Sequence, residues 1–291
     1  MKQIAALLLV LLGASGTTSL GGQVAVRECD RACLHGFLTQ YLNALVVNRP
    51  SVLSVAANVR FTEDTKEMKL GEGLWKNASS IRTYRQEILD VRQGVAGAHV
   101  VVEEGGSPVM LVLRLKVVAR QITEIETQVT RNQREGLIFD VDALQTPSKT
   151  MTLVPERAQL NSRAEAIKIA ERYPAGLRAG SFVTVDVPFA SDAYRFEAGR
   201  LMAGPGCTFI PGCENIKTQR IPTLPETTAR VAAVDEELGI VWLRMNFGKG
   251  SVPDAGSTLV VWEAFKVYSG QIHAVEAFMK MGPLGAPSGW D

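Results

Sequence analysis

The residues best suited to chemistry stand near the end of the chain. Glu263 and His273 lie on two apolar runs joined by Ser269-Gly270. An imidazole titrates near neutrality, and a carboxylate beside it can hold its proton, so the pair would make a general base if both faced one cavity. Two simpler readings compete: a histidine packed on a half-exposed sheet face, and an acid paired with a neighbouring cation. Strict alternation puts His273 on the face of Val275, Ala277 and Met279, and Glu276 on the face of Ile272, Ala274 and Phe278.

These residues belong to a line written twice. RLKVVARQITEIE runs from Arg114 to Glu126, and AFKVYSGQIHAVE runs from Ala264 to Glu276 without a gap between the copies. Lys116 matches Lys266 and Glu126 matches Glu276, which points to a duplication. A glutamate present in both copies is better explained by an ion pair than by catalysis, and the other role open to Glu276 is that of a binding residue pointing into the pocket. Where the first copy has Leu113 and Thr123, the second has Glu263 and His273. This asymmetry makes the second half the working one. Tyr41 and Tyr173 could each bond a ligand oxygen, or could pack with the hydroxyl at a rim. Trp75 reads as a lid over the first half. Arg60 in VRFTE and Arg195 in YRFEA repeat each other and suggest structural ion pairs, and His99 falls on the less buried side of its strand.

The elements around these residues also repeat. Helical spacing runs from Cys29 to Val47 and stops at Pro50, and a second helix is predicted from Arg163 to about Arg172, ended or kinked by Pro174. Each is followed by an antiparallel meander, with Gly105-Gly106 as one hairpin signal. The fold class is α+β: two tandem cone-shaped units, each a long helix plus short helices packed on a strongly curved antiparallel sheet. The boundaries are residues 1–22 for a signal peptide, 23–131 for the first cone, 132–161 for a linker containing Pro147 and Pro155, and 162–291 for the second cone.

AVDEELGIVWLRMNF, EAFKVYSGQIHAVEAF and the closing SGW resemble the SnoaL-like polyketide cyclases of the nuclear transport factor 2-like superfamily. VRFTED, KLGEGLW and RLKVVARQITEIE are similar to the equivalent region of exported proteins that carry such domains and have no settled function. The resemblance implies a cone-shaped α+β fold and a range of activities, cyclase, isomerase, dehydratase and dehalogenase among them, as well as plain binding. It brings no cofactor. The superfamily's aspartate-histidine dyad finds no match here, because Asp30 and His35 both lie on the first helix. The turn before the last strand, Gly270-Gln271-Ile272, also departs from the family's Gly-Lys/Arg-Ile.

Composition narrows the partners. Lys2, the apolar run from Ile4 to Leu12 and the small residues Gly13 to Gly16 read as a secretory signal, too short to span a bilayer. No membrane association is expected after its removal. With 31 basic and 30 acidic residues, and no interleaving of basic and aromatic side chains, nucleic acid is an unexpected partner. Cys29, Cys33, Cys207 and Cys213 suggest disulfides in an exported chain; three pairings exist, pairing within each couple is preferred, and zinc is the rival. No GxSxG, HExxH, P-loop or dinucleotide fingerprint occurs. The expected function is binding of a small apolar molecule, with cofactor-independent lyase, isomerase or cyclase chemistry as its enzymatic form. The alternative is a non-catalytic ligand- or protein-binding module. The chain is a candidate homo-oligomer.

Overall fold

The computed structural model describes residues 29–286 and Trp290. The signal peptide expected over residues 1–22 lies outside the described residues. Helix α1 (Arg31–Val46) leads into strands β1 (Val55–Glu63), β2 (Lys66–Glu67), β3 (Ala78–Asp90), β4 (Val95–Glu104), β5 (Ser107–Val118) and β6 (Gln121–Thr130). Three short helical turns follow, including α2 (Gln133–Gly136) and α3 (Lys149–Thr152). Then come α4 (Arg163–Ala170), α5 (Arg172–Ala179), β7 (Phe189–Glu197), β8 (Arg200–Ala203), β9 (Thr228–Asp235), β10 (Ile240–Asn246), β11 (Ser257–Tyr268) and β12 (Gln271–Pro283).

The strands form two six-stranded sheets with one order, β2-β1-β6-β5-β4-β3 and β8-β7-β12-β11-β10-β9. Each sheet is mixed rather than purely antiparallel, since β1 runs parallel to β6 and β7 parallel to β12. The cause is the path of the chain: the first strand of each half joins the last one after the meander has turned back. Only the first half has a long helix, of 16 residues. In the second half the expected long helix is two of 8 residues each, and Pro174 lies in the first turn of α5. There its missing N–H costs nothing, so the chain continues through it.

Each helix covers the inner face of its own sheet. Leu38, Tyr41, Leu42 and Leu45 pack on Phe61, Leu111, Leu113 and Ile125, and Tyr173 and Leu177 pack on Leu243, Phe265 and Val275. The outer faces meet each other. Tyr84, Val101, Met110 and Val112 of one sheet pack with Trp242, Trp262, Ala264 and Phe278 of the other, and Met151, Val141 and Leu144 of the linking segment join them. Contact is close: a Cβ on Gly97 would stand 2.4 Å from the Trp242 ring.

The seam is closed by a reciprocal set of bonds. Asp90, at the end of β3, accepts from Val234 N at 2.8 Å, and Asp235, at the end of β9, accepts from Leu89 N at 3.0 Å. Each also caps the turn that follows it, at Gln93 N (3.0 Å) and Leu238 N (3.1 Å). Arg163, first in α4, pairs with Asp90 at 2.6 Å, and Arg31, first in α1, pairs with Asp235 at 2.7 Å. The repeated lysines finish those turns, Lys116 donating to the Gln93 carbonyl and Lys266 to that of Leu238. Gly94 and Gly239 sit at positive φ where a Cβ would lie 2.5 Å from the carbonyl oxygens of Val117 and Val267, so both turns require glycine.

Both cysteine couples are disulfides, Cys29–Cys33 with Cα atoms 5.2 Å apart and Cys207–Cys213 with 5.7 Å. Cys29 precedes the Asp30 N-cap, so the first bridge spans a helix start, not a helix interior. No helix among the described residues is long and apolar enough to cross a membrane.

Asp235→Ala should strand Leu89 N and Leu238 N and leave Arg31 without this partner, a loss of about 3 kcal/mol. Asp90→Ala should cost about the same, because the bonds are reciprocal. Urea unfolding compared with Asp192→Ala, an exposed control, measures it. Unchanged midpoints in both clasp variants would remove the clasp from the stability argument.

Candidate functional site

The inner face of β11 carries Val261, Glu263, Phe265 and Val267 in alternation, three apolar side chains and one acid. Glu263 is fully buried, and neither of its carboxylate oxygens has a hydrogen-bond partner among the described residues. Burial, reinforced by Glu197, holds its pKa well above the usual carboxylate range, with Arg195 acting in the other direction. Burial thus favours the protonated form of the group, which can donate through one oxygen and accept through the other.

Three further side chains converge on it. Arg195 enters from β7 and donates through Nη1 to the Tyr173 hydroxyl at 3.1 Å, while its Nε stands 3.0 Å from Glu197 without hydrogen-bond geometry. Burial works against the guanidinium charge, but Tyr173 and Glu197 outweigh it and raise the arginine's pKa. Burial also pushes the Tyr173 hydroxyl up, so it stays protonated. Tyr173 is held in place by Phe182 at 4.7 Å and Phe265 at 5.1 Å. The set combines a buried carboxyl, a phenol and a fixed cation in apolar surroundings. It could donate a proton to a carbonyl or ether oxygen and stabilise the negative charge that develops.

The same positions in the first half hold no such set. In the strand ladders Phe61 faces Ile125 where Arg195 faces Val275, and Leu113 faces Thr127 where Glu263 faces Ala277. Arg195 thus corresponds to Phe61, not to Arg60 as the matched Arg-Phe dipeptides suggest. A slip of one residue changes the face, so Arg60 lies outside, bonded to Glu67 and stacked on Trp290. Tyr41 and Trp75 satisfy each other, indole N–H to phenol oxygen at 3.0 Å. Trp75 is only 1% exposed, so it belongs to the core of the first half instead of covering it as a lid. Glu63, the counterpart of Glu197, accepts from Leu74 N at 2.9 Å.

His273 and Glu263 are not brought together. Lys266 pairs with Ala274 and Val267 with Ile272, which leaves His273 as the extra residue of a bulge. Glu263 is opposite Ala277, about 13 Å from His273 at ~3.3 Å per residue. The imidazole stacks on Tyr268 at 3.6 Å and bonds that residue's carbonyl, half-exposed and depressed in pKa by burial. The bulge also reverses the alternation, placing Ile272 inside and Ala274 outside. Glu276 consequently lies at the seam, accepting from Tyr194 at 2.8 Å and Tyr84 at 3.5 Å. Glu126 lies there too, bound by Arg230 at 2.7 Å. His99, expected on the less buried side, is fully buried in the seam; it stacks on Phe278 at 4.7 Å and accepts from the Trp242 indole at 3.1 Å. Burial lowers its pKa to about 3.

Residues 159–279 match the profile of a family described as "Domain of unknown function (DUF8021)". No curated protein matches. Among solved structures the chain is similar to an NTF2-like protein of unknown function from Shewanella baltica OS155, at 16% identity, with a TM-score of 0.27, covering 40% of this chain and 91% of that one.

Proposed function

We propose that this is an exported chain of two duplicated SnoaL-like units, in which the second cone binds a small, largely apolar molecule against Glu263 and transfers a proton on it without a cofactor. The observation that carries the reading is the Glu263 carboxyl, buried with both oxygens unpartnered. A buried carboxyl left unbonded costs about 1–3 kcal/mol or more, and leucine at the corresponding position of the first half shows that the fold itself has no use for it. A ligand oxygen or nitrogen would complete it. Tyr173 and Arg195 would then hold the ligand's polar end, and the walls of Phe265, Leu243 and Val275 its apolar body. The first cone, whose tyrosine and tryptophan satisfy one another, supports the second reading for that half: a structural unit with no ligand. Export is supported by the two disulfides.

Glu263→Leu copies the first half and leaves Arg195 with Glu197 and Tyr173. It should raise the stability of the ligand-free protein by about 1–3 kcal/mol and abolish retention of any small molecule that mass spectrometry finds in protein from its native host. A stability loss, with retention intact, would overturn the site.

A pH dependence follows with a definite sign. Because the folded pKa of Glu263 lies above its ordinary value of 4.5, the folded chain keeps a proton that the unfolded chain has lost. That contribution to stability is complete below pH 4.5 and declines as pH rises through the folded pKa. In Glu263→Gln it is absent, so the melting temperature of the wild type minus that of the variant should fall from pH 4.5 to 8. Parallel curves would show that Glu263 titrates normally.

A further inference from the structure

His273 takes no part in the cone, yet it marks a difference between the two copies. At the same bulge the first half has Thr123, whose hydroxyl donates to the Lys116 carbonyl at 3.3 Å and is satisfied there. The imidazole has two nitrogens to satisfy. Its Nε2 lies 3.2 Å from the Tyr268 carbonyl, which can only accept, so Nε2 carries the proton. Burial holds the pKa of the ring below its ordinary 6.5, which keeps it mostly neutral at pH 7. Nδ1 then presents a lone pair that has no hydrogen-bond partner among the described residues.

The ring lines a cavity of about 270 Å³ together with Lys149, Thr150 and Leu153 of the linking segment and Asp192, Tyr194 and Tyr268 of the second sheet. The linking wall is fixed from beneath. Lys266, fully buried, donates to the carbonyls of Met151 and Leu153 as well as to that of Leu238. Ser148 and Tyr194 join the two walls through their hydroxyls at 2.7 Å. Two opposite charges line this cavity without meeting: neither the Lys149 ammonium nor the Asp192 carboxylate makes an ion pair with a described residue. A ligand that carries both signs would bridge them. The Nδ1 lone pair and the Asp192 carboxylate both accept, and so suit an ammonium; Lys149 suits a carboxylate; Leu153 and the Tyr268 ring offer apolar surface. These are the three parts of an aliphatic α-amino acid.

We propose that this cavity is a second binding site, separate from the cone, for a free aliphatic amino acid. The ammonium would bond His273 Nδ1 and Asp192, the carboxylate would bond Lys149, and the side chain would lie on Leu153 and Tyr268. Calorimetric titration of the full chain with L-leucine tests it, against two truncated forms of the same molecule: 4-methylpentanoate, which lacks the ammonium, and 3-methylbutylamine, which lacks the carboxylate. Leucine should bind saturably at one site per chain. Each truncated form should bind about tenfold more weakly or worse, through loss of a charge-assisted hydrogen bond. His273→Thr, which copies the first half, and Lys149→Met should each weaken leucine by a similar factor. Glu263→Leu should leave leucine binding unchanged, which separates this site from the cone. No leucine binding, equal binding of either truncated form, binding that survives both His273→Thr and Lys149→Met, or binding lost in Glu263→Leu would overturn the proposal.

Discussion

Two aspartates hold the molecule together across its seam. Asp90 and Asp235 each accept a backbone N–H from the other sheet, cap their own turn and pair with the arginine that opens the other half's first helix. Both are fully buried. A buried carboxylate is tolerated only when its lone pairs are occupied and its charge is met, and here both conditions are satisfied by groups drawn from two halves. The orientation of each helix on its sheet and the approach of one sheet to the other are therefore set at one place. The short contact of Gly97 with Trp242 follows from that approach.

The clasp also explains what the repeated line preserves. Lys116 and Lys266 complete the clasp turns, and Glu126 and Glu276 lie in the seam, each bonded by a side chain from the other half, Arg230 for one and Tyr84 for the other. Conserved identity between the two copies thus marks architecture. The sequence showed the repeated order of strands, the first long helix and the local cysteine pairing, because these rest on periodicity, turn residues and spacing; it did not show that the second helix is broken in two. It did not show that the outer faces are covered. His99 read as semi-exposed because an outer sheet face normally meets water, and only the second sheet buries it.

The errors at the site have a single physical source. Alternation fixes which side chains share a face only while the ladder is regular, and one extra residue reverses every assignment beyond it. His273 is such a residue, so its supposed neighbours on one face belong to the other. The matching of Arg195 erred by one position as well: pairing Arg-Phe with Arg-Phe made Arg60 its counterpart, whereas the ladders give Phe61. Glu263 was legible because it interrupts an apolar run, Val260-Val261-Trp262 before it and Ala264-Phe265 after it, with leucine in the other copy. Glu197, by contrast, gave no signal, since only the parallel pairing with β12 turns it towards Glu263 and Arg195.

Positions that differ between the halves then separate into two kinds. Some differ without consequence for polarity, and some replace an apolar contact by a buried polar group with an unbonded atom: Leu113 by Glu263, Phe278 by Gln128, and Phe61 by Arg195, which bonds Tyr173 but leaves Nε unbonded. Net stability of a domain is only about 5–15 kcal/mol, so a buried carboxyl and a buried amide donor left without partners, at about 1–3 kcal/mol each, consume a large part of it. The first half shows that apolar residues fit the positions of Glu263 and Arg195, and His99 with Phe278 shows that a ring fits the position of Gln128. Since cheaper residues are available to the same fold, a bonding group from outside the chain, as proposed for Glu263, is the reading that accounts for the polar ones. Agreement between the halves therefore identifies the frame of this protein, and the buried polar departure from it at Glu263 is what the proposed ligand site is built on.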